Sequence, residues 1–368
     1  MINKIIMALG KGGAGTDIEV GSPLTFISTN SSDQRVVGLS ATKAIVVYTD
    51  NSSNYKGTAC ILDVSGSTLT AGTPVIHNTS ITGSSAVTML TSTKALIVYK
   101  NAGNSGRGTA CVLDVSGTTI TVGTSVVFAT GSIDQANITS LTSTKAIVTF
   151  HDTSAKRGRA CVLDVSGSTI TAGGLTNYNT TGSSYSNVVA TLTSTKALVV
   201  YENTTNGSYL TTRVLDVSGS TITLGSAVLV QSANLGYIDL TGLSSTKALV
   251  VYADTTNGNY GTARVLSVSG TTITVGSAAV FASAVIRDSS VTTLTEDRVM
   301  NIYKDIDDGS DGKAIILDVA GTTVTSGTPV TYDATSNNPG VIAVLPETEV
   351  EAIVVRKGSL IGFHLTNV

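Results

Sequence analysis

Side chains able to do chemistry are sparse in this sequence. The densest group lies near its end: Asp305-Ile306-Asp307-Asp308-Gly309-Ser310-Asp311-Gly312. Carboxylates interspersed with glycine can bend a tight turn around a hard cation, because Ca²⁺ takes about six to eight oxygen ligands. Asp305, Asp307 and Asp311 are therefore candidate calcium ligands. The stretch lacks the distal glutamate that closes an EF-hand loop, so a plain acidic turn accounts for it as well. No other cofactor is expected. The three histidines do not form a catalytic set. His77 occupies the slot filled by Phe26, Phe128, Tyr178 and Phe281 in other parts of the chain, which makes it a packing residue, and His364 falls inside an apolar strand pattern. His151-Asp152 opens a polar segment, where a solvated pair is expected. Tyr55, Tyr209, Tyr237 and Tyr260 are the aromatics left free to stack on a ligand, with Lys56, His151, Arg157 and Asp307 as outward polar groups beside them. The chain has no Trp, so the aromatic platform expected of a strong sugar site is thin.

These residues sit on a repeat. Leucine recurs at Leu39, Leu90, Leu141, Leu192, Leu243, Leu294 and Leu345, a constant step of 51 residues. A period near 50 marks an array of supersecondary units. The stretch from Leu141 to Thr191 supplies the pattern: LTSTKAIVTF, a polar segment, ACVLDVSGSTI, then GGLTNY. The run after each Thr-Lys, such as Ala44-Ile45-Val46-Val47-Tyr48, is continuously apolar, which predicts a strand buried on both faces. Ser-Gly ends the next strand with a turn, and Gly123 interrupts the one after it, where a bulge or close backbone approach is expected. Four strands per repeat and seven repeats predict an all-β, seven-bladed β-propeller with antiparallel blades. Thr16–Phe26 reads like Thr118–Phe128, the fourth strand, while the last repeat stops after its third. The N-terminal strand is thus expected to complete the last blade, which would remove exposed sheet edges. Residues 16–368 form one propeller domain in this reading, and 1–15 form an extension.

In such a ring the loops joining strands two and three share one face with the connections from strand four to the next unit. Both sets vary here, from Asn78–Ala86 and Val230–Ile238 to 49–56 and 304–312, whereas the STK and Ser-Gly turns of the other face are uniform. Variation gathered on one face of a constant scaffold predicts a binding surface.

Bulk properties exclude several classes. Charged residues make up 13% of the chain and the net charge is −3, with no basic run, so nucleic acid is not an expected partner. No stretch is long enough to span a membrane as a helix. The apolar run Ile5–Leu9 is too short for a signal-peptide core, which points to folding in a cytoplasm. Lys11-Gly12-Gly13-Ala14-Gly15-Thr16 lacks the lysine directly before Thr that a phosphate loop requires, and reads as a flexible hinge.

The repeat wording of Thr246–Phe281, TKALVVYADTTNGNYGTARVLSVSGTTITVGSAAVF, resembles tandem repeats of bacteriophage and marine-virus structural proteins and of some bacterial surface proteins. The resemblance covers residues 16–368. It implies a non-enzymatic module of a virus particle, in a tail, spike or head fibre, assembled in the host cytoplasm. Residues 1–15 would then dock onto other virion proteins, and the variable face would meet a host-surface glycan or protein. A carbohydrate-binding lectin-like propeller of a bacterium is the alternative. A glycan-cleaving enzyme is the third reading, and it lacks paired carboxylates at a recurring place.

Cys60, Cys111 and Cys161 stand at equivalent points of successive repeats, too far apart for disulfides and in apolar strands. They are expected to remain reduced and to react slowly with a thiol reagent until the protein unfolds. Rapid labelling of all three in the native protein would contradict their burial.

Overall fold

The computed structural model describes residues 18–365, apart from 22–23, 26–29, 66–67, 181, 335–339, 347–350 and 357–358. Among these the chain is all-β, broken only by short 3-10 turns, and its strands pair antiparallel. The third repeat shows the unit. The second half of Val126–Thr142 pairs with Lys145–Asp152, which pairs with Arg157–Ser166, which pairs in turn with Thr169–Ala172 and Thr176–Asn179. The architecture is β-propeller-like.

Strand two carries the packing. Ala44, Ile45, Val46 and Val47 are fully buried, as are Ala146, Ile147 and Val148. Each β-branched side chain so buried stabilises by about 1.5–3 kcal/mol. Among the described residues the buried side chains group into seven clusters, each drawn from two neighbouring repeats. One joins the first repeat to the last through Ala44, Val46, Ile353 and Val355. At the chain ends, Ile18–Val20 and Leu24–Thr25 pair antiparallel with Ser359–Leu365, with Ile18 opposite Leu365 and Leu24 opposite Leu360.

Two close contacts explain the glycines. A Cβ on Gly123 would lie 3.2 Å from the carbonyl oxygen of Ser168 in the next repeat, and one on Gly225 would lie 2.8 Å from that of Thr271. Neighbouring units therefore meet backbone to backbone at this point, which is the close approach expected at Gly123. At the start of strand three, a Cβ on Gly108 would lie 2.6 Å from the Phe128 ring, and one on Gly57 2.3 Å from His77. The fourth repeat exchanges both partners at once, with Leu210 in the glycine position and Val230 in the aromatic one, both buried.

The connections from strand four to the next repeat correct the sequence reading. Asn78–Ala86 and Val230–Ile238 are not loops but parts of the continuous strands Val75–Thr91 and Val228–Ser244. The first half of each strand pairs within one unit and the second half within the next. Backbone groups satisfied on both halves override the turn preference of Asn, Ser, Thr and Gly. The crossing is made by a bulge in strand one, with Asp33, Ser84, Gln135, Ser186, Tyr237 and Asp288 at φ 49–55° and a register shift beside each.

The opposite face carries ion pairs that the sequence reading missed. Lys43, Lys94 and Lys145 pair with Asp63, Asp114 and Asp164, and Lys196 lies 2.9 Å from Asp216. Lys94 and Lys145 also donate to the carbonyls of Gly167 and Gly219 in the next repeat, at 3.0 and 2.8 Å. The recurring Thr-Lys and Leu-Asp-Val were the available signal. All three cysteines are free and buried.

The His77 ring packs at a tilt against Tyr99 with 5.1 Å between ring centroids, as Phe128 packs edge-on against Phe150 at 5.5 Å, so it is a packing residue. Neither of its ring nitrogens has a hydrogen-bond partner among the described residues, and burial pushes its pKa down to about 3. The unfolded chain takes up a proton near the ordinary value of about 6.5 that the folded protein refuses. Stability is therefore lost as pH falls from about 6.5 toward about 3. His77→Phe is expected to stabilise by about 1–3 kcal/mol by removing the unpaired polar atoms. It should also flatten the fall in melting temperature between pH 7 and pH 4. An unchanged slope would show that His77 titrates normally.

Candidate ligand-binding face and axial funnel

The candidate binding residues fall at the loop end of the units, but they do not form one cluster. Tyr55 is 51% exposed, at φ 58°. Lys56 and Arg157 each open a strand three, opposite Asp50 and Asp152, and Arg157 is exposed. Tyr209 and Tyr260 are half-buried: their rings lie over their own turns, where a Cβ on Gly207 would come 2.9 Å from Tyr209 and one on Gly258 3.4 Å from Tyr260.

His151 is a correction. It is 4% exposed, because strand two runs on to Asp152 instead of ending in a loop. Its ring meets the edge of Tyr185 at 4.9 Å, and Nε2 has no partner among the described residues. Burial depresses its pKa against the pull of Asp134 and Asp152. Tyr185, 42% exposed, was not among the aromatics singled out from the sequence.

The acidic turn is not assembled around a cation. Asp305 Oδ1 accepts the amides of Asp307 and Asp308 at 3.1 and 3.2 Å, and Asp307 is exposed with Oδ2 accepting from the Val285 amide at 2.9 Å. Lys313 pairs with Asp308 and lies 3.9 Å from Asp311, a cation already set among these carboxylates. Among the described residues no group of three or more His, Cys, Asp or Glu could hold a metal ion. Residues 1–15 lie outside the described residues.

What the topology brings together is strand one from every repeat. The bulged ends of these strands enclose an axial funnel of about 480 Å³. Val36, Val87, Ile138, Val291 and Ile342 line both this space and a second cavity of about 410 Å³. The wall is divided. The fifth, sixth and first repeats contribute Tyr237, Asp239, Asp288, Asp33 and Arg35, while Ala86, Val188 and Val341 face the same space from the second, fourth and seventh. No single repeat holds more than a few of these residues, so no local motif announces the site.

A belt of hydrogen bonds ties the rim together. Asp33 Oδ2 accepts from the Ser85 amide at 2.6 Å, Ser84 Oγ from the Gln135 amide at 3.1 Å, and Gln135 Oε1 from the Ser186 amide at 2.6 Å. One layer down, Asp239 accepts the amides of Leu240 and Val291, both at 2.8 Å. Burial nevertheless raises the pKa of Asp239, against these amides and Arg35. Burial also raises that of Asp288, opposed by Lys304 and Arg287.

No family model matches the chain, and no curated protein matches it. Solved structures do resemble it. The BP39L lectin from Burkholderia pseudomallei aligns with a TM-score of 0.61 at 9% identity, over 92% of this chain and 96% of that one. AofleA from Arthrobotrys oligospora aligns with a TM-score of 0.51 at 8% identity, over 86% and 92%. At these identities the likeness concerns the fold alone.

Asp239→Ala leaves two inward amides unpaired at the junction of the fifth and sixth repeats. It should lower stability by about 1–3 kcal/mol, read from urea melts. A melt identical to the parent protein would remove Asp239 from the belt's account.

Proposed function

We propose that this chain is a non-enzymatic, carbohydrate-binding propeller of lectin-like type, with residues 16–368 as one domain. The divided wall of the axial funnel carries the reading. A sugar ring has hydroxyls around its edge and C–H groups across its face, so it suits a pocket with carboxylate and guanidinium on one side and, beside the Asn137 amide, aliphatic surface on the other. The funnel's volume lies in the range of small-molecule sites, about 300–1,000 Å³. The fold likeness to the BP39L lectin supports the same class. Glycoside cleavage ordinarily takes two carboxyl groups working as a pair. Here Asp33 and Asp239 are engaged by backbone amides, which favours binding over hydrolysis. The virion role implied by the repeat wording gains no support from the funnel or from the fold likeness.

The finer architecture belongs to the same proposal: seven four-stranded blades in a ring, closed by the N-terminal strand. It is supported by the packing of the first repeat on the last and by the pairing of Ile18–Val20 with Ser359–Leu365. Deleting residues 1–27 removes buried Ile18 from the cluster around Met300 and Val354. The loss should amount to several kcal/mol, on the scale of about 25 cal/mol per Å² of apolar surface. A truncated chain that melts with the full one would exclude the latch.

A glycan array tests the function. The full chain should retain a restricted set of glycans, and Tyr237→Ala should weaken that binding about tenfold, ~1.4 kcal/mol. Retention of no glycan would refute the reading.

A further inference from the structure

Four side chains of the funnel keep surface or hydrogen-bonding capacity that the scaffold does not use. At the bulge position of strand one, Asp33, Ser84 and Gln135 use their side chains to cap the next repeat. Tyr237 and Asp288 occupy the same position in the fifth and sixth repeats and do not. Tyr237 is 40% exposed at the funnel mouth, at φ 55°. A bulky side chain is disfavoured in this left-handed region, where Asn and Asp are better tolerated. No hydrogen bond reaches the Asp288 carboxylate from the described residues, nor the side-chain amide of Asn137 on the wall of the third repeat. Arg35 directs Nη1 to the Gln34 carbonyl at 2.7 Å and Nη2 toward Asp33 at 3.6 Å. A guanidinium has five N–H groups, so donors remain.

We propose that the axial funnel is a subsite for one neutral, polyhydroxylated sugar residue of a glycan, held by Asp288, Asn137 and Arg35 against the ring of Tyr237. The ligand class rests on the lectin-like reading above; the subsite and its stoichiometry go beyond it. Lys304 and Arg287 already offset the charge of Asp288, so hydroxyl donors suit it better than a cationic amine. Among the described residues only the fifth repeat places an aromatic at the bulge position, so one sugar binds per chain.

The test is a titration of the full chain, followed by saturation-transfer NMR and calorimetry. The probes are D-glucose, D-galactose, D-mannose, the amine D-glucosamine, and an oligosaccharide retained on the array. At least one neutral probe should bind at one site per chain. Asp288→Asn and Asn137→Ala should each weaken it at least tenfold without moving the melting temperature, and the exposed outer-edge variant Leu229→Ser should leave it unchanged. Binding of glucosamine alone would overturn the neutral-sugar assignment. Several sites per chain, or full affinity in Asp288→Asn, would overturn the subsite while leaving the lectin-like reading standing. Absence of binding by every probe and every arrayed glycan would refute both.

Discussion

The structure depends on the contact between neighbouring repeats. Strand two is apolar on both faces, with Ala44, Ile45, Val46 and Val47 fully buried, so no unit can bury its own surface alone. The units approach until backbone meets backbone, which fixes glycine at Gly72, Gly123, Gly173, Gly225 and Gly276, where a Cβ would come 2.6–3.2 Å from the next unit's carbonyl oxygen. A second close contact, inside each unit, explains why Leu210 and Val230 change together in the fourth repeat. Strand-four aromatics lie directly over strand-three glycines, and one partner cannot grow unless the other shrinks.

That contact also makes the site. Packing the units side by side brings strand one of each repeat to the centre, and the bulge at its end turns one residue per repeat into the rim. Most rim residues are held by the scaffold, as in Asp33 to Ser85 and Gln135 to Ser186. In the proposed site, freedom to contact a ligand falls to the few positions that do not cap a neighbour, chiefly Tyr237 and Asp288. The proposed function is thus an asymmetry written onto a nearly regular array of strands.

Much of the scaffold was legible in the sequence because it repeats: the buried strand two, the Ser-Gly turns, the close approach at Gly123, the packing role of His77 and the buried cysteines. The crossing strands were not. Asn78–Ala86 has turn-forming content, yet its backbone is paired on both halves, a tertiary fact that local composition cannot carry. His151 was misplaced for the same reason, since a strand runs one residue beyond it. The bulges escaped notice because no glycine marks them. The funnel was invisible because its walls are assembled from residues roughly 51 apart, so Asp33, Asn137, Tyr237 and Asp288 share no local pattern.

Crystals of the full chain grown with an oligosaccharide selected on the array would test the account most directly. The account predicts density for a single sugar residue in the funnel, its ring face on Tyr237 and its hydroxyls toward Asp288 and Asn137. Sugar lodged only in clefts between units or along the outer edge, with the funnel empty, would contradict it.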